Sequence, residues 1–330
     1  MARARLGQIG AVAAMILNLV PEGLAVCASP NPADAYAAYH RRYERVLSAY
    51  WRNNVLDPNS PHAAEVIRDA LAANRRDLEK LLQSVDLKRL ATDALDRAAA
   101  VLELDMEIDL YLIVGVGAAN VAELVVDGRG VAVLCIEHFT GQTNPDTFGL
   151  GLSLELLPLW IAHAVAHLVR YTSPTSRSPL RTLVAEAGGS YDYWETGSRT
   201  ILRELLLNEG LAVHAARAVA PGHPDEDYFG FSRRQFRRMR ELETFLLRAV
   251  EGDLERAGLG LRLRYLSGGV SAAARAVSGR ILPERSGYYL GARMAEALIA
   301  ERGIAAAVRA ATAEFPAAEV RHTPGQAESA

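Results

Sequence analysis

Residues 108–139, IDLYLIVGVGAANVAELVVDGRGVAVLCIEHF, constrain the fold most, because here the apolar pattern changes from a helical period to strand-like alternation. Three segments rich in β-branched residues predict strands at 108–117, 121–130 and 131–139. The DGRG sequence between the last two predicts a tight turn. The sequence therefore predicts a small sheet of at least three strands, connected as a short meander.

Helical patterns lie on both sides of this stretch. Before it, steps of three and four residues separate Tyr36, Tyr39, Tyr43, Leu47 and Tyr50. Ser60-Pro61 reads as a helix cap followed by proline in the first turn. The predicted helices cover approximately 33–51, 61–82, 86–102, 152–171, 197–219, 232–257 and 286–313. Helices around a small sheet indicate an α+β fold.

This pattern divides the chain into a helical N-terminal region at 29–104, a core at 105–315 and a flexible polar tail at 316–330. Residues 1–28 have early arginines and a short apolar run that ends in small residues. They fit either an exported protein's signal peptide or an N-terminal helix of a cytoplasmic protein. The run is too short and too broken, by Pro21 and Glu22, to predict stable membrane insertion.

The composition excludes several other classes. The net charge of the 330 residues is −3, which gives no electrostatic reason to expect nucleic acid as a partner. The chain has two cysteines, Cys27 and Cys135, so a disulfide framework is excluded and a cysteine-based zinc site is not expected.

The sequence IAHAVAHLVR at 161–170 suggests a metal site. His163 and His167 are four residues apart, so on a helix both rings lie on one face and can reach one ion. Histidines at this spacing also occur as plain packed residues in helical structural proteins. The pair by itself does not separate a metal site from such a core.

A carboxylate in a later apolar helix strengthens the metal hypothesis. Glu209 lies in NEGLA, and a buried carboxylate is costly unless it is paired or bound to a metal. Zinc sites with two histidines commonly take a glutamate as the third protein ligand. Gly210 lowers helix propensity, which predicts close approach of another backbone. The alternative is that Glu209 is an exposed or salt-bridged helix residue.

A Gly-Tyr-x-x-Gly pattern opens the last predicted helix, SGYYLGARMAEAL. A tyrosine near a metal can donate a hydrogen bond to an oxyanion. Tyr288 is the candidate for this role and Tyr289 the second choice. The alternative is that both tyrosines only pack at the start of the helix.

The chain resembles a family of zinc-dependent proteases of the gluzincin kind in three segments, which occur in the order HAVAHLVR, NEGLAVHAA and SGYYLGARMAEAL. Most members of that family are described only as a domain of unknown function. The resemblance covers roughly residues 105–300. It implies a zincin-like metalloprotease core and Zn²⁺ held by His163, His167 and Glu209. It also implies that an edge strand at 131–137, with Val133, Cys135 and Glu137, binds an extended peptide or protein substrate.

The sequence departs from the gluzincin motif H-E-x-x-H at its general base. Ala164 stands where these enzymes have the glutamate that accepts a proton from water, and losing such a base costs about 10²–10⁴-fold in rate. The sequence is equally compatible with natural divergence at position 164 and with a deliberate substitution of the glutamate by alanine. The resemblance therefore implies either a metallopeptidase of impaired activity or a pseudoprotease that binds peptides or a partner in its cleft.

Other side chains could replace the base or support the ligands. Glu204 is five residues before Glu209 and is expected on another face of that helix. His214, five residues after Glu209, is a candidate for an outer-shell contact to the ligands. The remaining candidates for a base are His138 and Glu137 at the end of a strand, and Glu186 and Asp192 in the loop region between the metal helices.

Overall fold

The computed structural model describes residues 15–55 and 60–316, which fold as a mixed α+β structure. The predicted α+β class is confirmed. Most of the predicted tail and the first half of the segment predicted as signal peptide or helix lie outside these ranges. The strands are β1 (Met15–Asn18), β2 (Ile108–Ile113), β3 (Val121–Val126), β4 (Arg129–Cys135), β5 (Thr143–Asn144), β6 (Gly149–Leu150), β7 (Ala276–Val277) and β8 (Arg280–Ile281).

The helices of the described ranges fall into an N-terminal and a C-terminal series. Before β2 lie α1 (Val20–Cys27), α2 (Pro32–Arg42), α3 (Glu44–Asn54), α4 (Pro61–Ala72), α5 (Arg76–Leu82) and α6 (Leu87–Leu102). After β6 lie α7 (Leu157–Thr172), α8 (Pro179–Glu186), α9 (Tyr193–Arg199), α10 (Leu202–Val219), α11 (Asp225–Phe229), α12 (Arg233–Glu241), α13 (Glu243–Glu251), α14 (Leu259–Leu266), α15 (Ser286–Arg302) and α16 (Ile304–Ala307).

The main sheet has the strand order β1-β2-β4-β3. β1, β2 and β4 are parallel, and only β3 runs antiparallel, to β4. Asp127 and Gly128 connect β3 to β4 with positive φ angles of 51° and 78°, as expected for the two-residue hairpin that DGRG predicts. The predicted meander is wrong, because β2 pairs with β4 and leaves β3 as an outer strand.

β1 was not foreseen from the sequence. Its residues lie in the segment interpreted as a signal peptide or a helix, yet Met15 to Asn18 pair in parallel with Asp109 to Leu112. The helix alternative agrees with α1, which follows directly. Export or cytoplasmic location stays a prediction. No helix in the described part of the chain is long and apolar enough to cross a membrane.

Each face of the main sheet contributes to a different hydrophobic cluster. Ala132 and Leu134 of β4 point into the larger cluster, which contains α6, α7, α10 and α15. Val133 and Cys135 point to the opposite face and pack with α3. α6 belongs to the predicted N-terminal region, yet it packs directly on α7 and α10 in the larger cluster.

α7 is the central helix of the larger cluster. Nearly all of its residues are buried, and a helix that is apolar on all sides is typical of such a position. It packs between the sheet and α10, and α10 in turn packs against α15. These three helices carry the candidate site.

Several predicted helices are shorter or interrupted. The predicted helix at 61–82 is divided into α4 and α5, although its capping signal is confirmed, since Ser60 Oγ accepts a hydrogen bond from the amide of Ala63 at 3.1 Å. The predicted helix at 286–313 ends as α15 at Gly303, which has a φ of 78°. With a ψ of 165°, Gly303 has an extended conformation at positive φ that glycine adopts readily and that cannot continue a helix.

Candidate metal centre

His163 and His167 bring their rings together on one face of α7. Pro158 occupies the first turn of this helix, where its missing amide costs nothing, and the helix ends before Pro174. The two Nε2 atoms are 3.1 Å apart. Both side chains are almost fully buried, with exposures of 3% and 0%.

Glu209 reaches the two rings from α10. Its Oε2 atom lies 3.6 Å from Nε2 of His163 and 3.5 Å from Nε2 of His167. The point equidistant from these three atoms in their plane lies about 2.0 Å from each, which matches Zn–N and Zn–O bond lengths. The predicted ligand atoms therefore converge on one point at a spacing that suits a metal ion.

The hydrogen-bonding state of Glu209 also suits a metal. Its buried Oε2 atom has no hydrogen-bond partner among the described residues, although it faces two imidazoles. A buried carboxylate needs a positive partner, and a cation at the common point would supply the positive charge that a proton on His167 supplies without metal. Two imidazoles and one carboxylate form a donor set that Zn²⁺ accepts. The residues present fit the ion that the sequence predicts.

Aromatic side chains orient the two imidazoles. The ring of His167 lies nearly parallel to Tyr171, with 6.1 Å between centroids, and His163 lies nearly parallel to Tyr288 at 6.3 Å. The Nδ1 atoms of both histidines have no hydrogen-bond partner in the described ranges. Ligating histidines usually donate this N–H to an acceptor, and neither ring has such an acceptor among the described residues.

The charges of the three side chains are strongly coupled. Burial lowers the pKa of His163 to about 4. Burial also acts to lower the pKa of His167, but the carboxylates of Glu209 and Glu123 outweigh it and raise this pKa to about 9. Burial opposes ionisation of Glu209, and the two histidines nevertheless hold its pKa well below its usual value. Without metal, His167 therefore carries a proton next to an ionised Glu209.

Tyr288 lies beside the ring of His163. Burial and the Glu209 carboxylate raise its pKa well above the usual value, so its hydroxyl stays protonated at neutral pH. The Arg285 guanidinium lies 4.3 Å from the centroid of its ring. The hydroxyl of Tyr289, the second choice, donates a hydrogen bond to Glu243 at 2.6 Å and is therefore engaged away from His163.

Ala164 is fully buried on α7, and three of the five substitute bases have structural partners instead. Glu204 is fully buried in an ion pair with Arg170, and it also accepts a hydrogen bond from Ser178 at 2.5 Å. Glu186 is exposed and pairs with Arg199. Asp192 caps α9 by accepting two backbone amides.

The other two substitute bases lie beyond the end of β4. His138 Nδ1 accepts the amide of Leu150 at 3.3 Å, and burial lowers its pKa. Glu137 Oε2 accepts the amide of Gly115 at 2.9 Å. Neither belongs to the group of possible ligand atoms found around His163.

The sheet order contradicts the prediction that residues 131–137 form a peptide-binding edge strand. β4 is an interior strand, because β2 and β3 occupy both of its edges. Val133 and Cys135 point to the sheet face opposite α7, and the Cys135 thiol lies 3.5 Å from the Tyr50 hydroxyl. Glu137 lies in a 3-10 turn and binds the Gly115 amide. Backbone pairing therefore leaves residues 131–135 no free edge for a peptide.

His214 contacts backbone and not a ligand side chain. Its Nε2 atom lies 3.0 Å from the carbonyl oxygen of Ala292 on α15. This bond fastens α10 to α15 one turn beyond Glu209. The predicted outer-shell role is replaced by a contact between helices.

Sequence reasoning missed two charged residues at the centre. Arg285 stacks on Tyr288 and its positive charge acts on His163. Glu123 lies on β3, and its carboxylate interacts electrostatically with His167 and Glu209. The alternation of VAELVV was the available signal, since it places Glu123 on the same face as Val121 and Val125.

The chain has no match among protein-family models, curated proteins or solved structures. Neither a relative nor a structural neighbour therefore identifies the ion or the reaction. The resemblance to gluzincin proteases, its zincin-like core included, stays a prediction that depends on the motifs and on the convergence of His163, His167 and Glu209.

Proposed function

We propose that this protein binds one Zn²⁺ ion through His163, His167 and Glu209 and belongs functionally with metal-dependent hydrolases of peptide bonds. The spacing of the three ligand atoms carries the proposal, since their common centre lies at about zinc-ligand distance from each. Two imidazole Nε2 atoms and one carboxylate oxygen face a single point, which is the donor arrangement of a two-histidine zinc site. The α+β fold and the order of the motifs also support this proposal.

Three protein ligands leave a fourth position open, which is typical of catalytic rather than structural zinc sites. A bound zinc ion supplies Lewis acidity and lowers the pKa of a coordinated water to about 7. Tyr288 is held beside His163 with its hydroxyl protonated, so it is available to donate a hydrogen bond to a developing oxyanion. Arg285 adds a fixed positive charge on the same side.

The second candidate function is non-catalytic binding of peptides at the same centre. The fully buried Ala164 favours it, because α7 offers no general base at the position of the motif glutamate. Peptide affinity without turnover, in protein that holds one equivalent of zinc, would support this candidate over the hydrolase.

The metal content of the purified protein tests the proposal. Elemental analysis of the wild-type chain should find one equivalent of zinc, and His163→Ala and Glu209→Gln should each lose it while circular dichroism stays helical. Glu186→Gln, at an exposed ion pair with Arg199, is the matched control and should keep its zinc. No metal in the wild-type protein, even after zinc is supplied, would refute the proposal.

A further inference from the structure

The outer strand β3 presents a carboxylate to the face of the sheet that carries the metal helix. Glu123 pairs across the ladder with Ala132, whose side chain points into the cluster around α7. Its neighbours Ala122 and Leu124 point to the opposite face, towards α3. Since side chains alternate along a strand, Glu123 points towards α7. α7 packs directly on β3 and β4.

Glu123 has no structural partner of the kind that Glu204 or Glu186 has. In the part of the chain that the structure describes, its carboxylate forms no salt bridge; it has a hydrogen bond with its own backbone, and the charge of Arg262 acts on it. The carboxylate is half-buried, and the charges of His167 and Glu209 act on it. It lies outside the group of ligand atoms that fall within 4.8 Å of one another, so it is not a fourth ligand of that group.

Gly130, two residues before Ala132 on β4, lies against Leu168 of α7, so Glu123, opposite Ala132, faces the part of α7 that carries His167 and lies outside the group of ligand atoms. Burial raises the pKa of Glu123 above its usual value, which makes it a better proton acceptor when ionised. A carboxylate that acts as general base must be free of a salt bridge. It must also reach a water molecule held at the centre. Among the acidic residues considered as a substitute base, Glu123 alone combines a side chain directed towards α7 with the lack of a salt bridge in the described ranges.

We propose that Glu123 is the general base of this protein and takes the role that Ala164 cannot perform. This inference rests on the proposed metal centre. In peptide hydrolysis, a water oxygen forms a bond to the carbonyl carbon and gives one proton to the Glu123 carboxylate. The C–N bond then breaks with its electron pair on nitrogen, and Glu123 returns the proton to that nitrogen. The second water proton remains with the new carboxylic acid.

A rival role for Glu123 is to position His167 through its charge. Outer-shell partners of this kind typically contribute about 10–100-fold to metal affinity. The Nδ1 atom of His167 has no hydrogen-bond partner in the described ranges, so no such contact to Glu123 is formed. The two roles give different results when the carboxylate is replaced.

The test uses Co²⁺ bound to the full-length protein, because its visible spectrum follows the ionisation of water at the centre. Glu123→Gln should keep one equivalent of cobalt, and the midpoint of its spectral pH titration should fall by at least about one unit. An anionic carboxylate disfavours the loss of a proton beside it, and nearby charges shift a pKa by about 1–3 units. Glu123→Asp keeps the charge and should stay near the wild-type midpoint, and Glu186→Gln should not differ from wild type.

A mixture of quenched fluorescent peptides provides the second readout. Cleavage by the zinc form should fall about 10²–10⁴-fold in Glu123→Gln. An unchanged midpoint in Glu123→Gln with cobalt bound would overturn the assignment. Weaker cobalt binding with an unchanged midpoint would also overturn it and make Glu123 a positioning residue. Absence of metal from wild-type protein would instead refute the centre itself, so the two failures are distinguishable.

Discussion

The backbones of Gly210 and Gly291 are in direct contact where α10 crosses α15. A Cβ atom on Gly210 would overlap the carbonyl carbon of Gly291, and one on Gly291 would overlap the carbonyl oxygen of Leu206. Glu209 precedes the first glycine, and Tyr288 lies one turn before the second. The close crossing therefore sets the position of the Glu209 carboxylate relative to Tyr288.

Gly210→Ala should destabilise the protein by at least about 1–3 kcal/mol, because the added methyl group meets backbone that cannot move aside. Urea unfolding of both proteins measures the difference. Gly260→Ala on α14 is the matched control, since nothing lies within 4 Å of the position of its Cβ. It should change stability by no more than about 1 kcal/mol, in the stabilising direction. Equal effects at both glycines would contradict the close crossing.

Glu204→Gln should be strongly destabilising without a direct effect on metal binding. The change leaves Arg170 fully buried without its counter-charge, and breaking such a pair costs about 3–5 kcal/mol. The double variant Arg170→Met/Glu204→Leu should lose less stability, because it leaves no charge unpaired. Thermal unfolding ranks the three proteins. A stable Glu204→Gln protein would show that the pair contributes little.

The three converging side chains could be singled out from the sequence because each left a local signal. His163 and His167 have the spacing of one helix face, and Glu209 stands out as a carboxylate in an apolar helix. Gly210 predicted the close approach that its contact with Gly291 confirms.

Glu123 and the sheet order could not be predicted in the same way. A glutamate in an alternating strand looks like a solvent-facing residue, and only the position of α7 shows that its face is covered. The order β1-β2-β4-β3 depends on pairing between distant segments, including residues 15–18, whose apolar pattern resembles a signal peptide or helix. The resemblance to gluzincins predicts an edge strand at 131–137, whereas β4 is paired on both sides.

Metal affinity should rise with pH up to about pH 9. The pKa of His167 is raised to about 9 without metal, so below that pH a metal ion must displace a proton from the ring. Each unit of pH below the pKa should weaken binding about tenfold, and zinc uptake at neutral pH should release about one proton. Competition with a chromophoric chelator at several pH values measures the slope. The exposed His62 provides a control, since His62→Gln should leave the slope unchanged. An affinity independent of pH would contradict a protonated His167.

Ala164→Glu should restore peptide hydrolysis to a protein that lacks Glu123. The glutamate after the first histidine is the general base of the H-E-x-x-H motif, so it would replace the lost proton acceptor. In the Glu123→Gln background the change should raise zinc-dependent cleavage about 10²–10⁴-fold. It should also lower the melting temperature, because Ala164 is fully buried and a carboxylate is costly there.

Ala166→Glu separates these two effects. Ala166 is also buried on α7, but it lies on another side of the helix from the position after His163. The variant should therefore lose stability to a similar degree and gain no activity in the Glu123→Gln background. Peptide cleavage and melting temperature, measured on both double variants with zinc content verified, decide the outcome. Equally low cleavage by the Ala164→Glu and Ala166→Glu double variants would show that a carboxylate at 164 does not reach the reacting water. The geometry of α7 would then differ from that of the H-E-x-x-H motif.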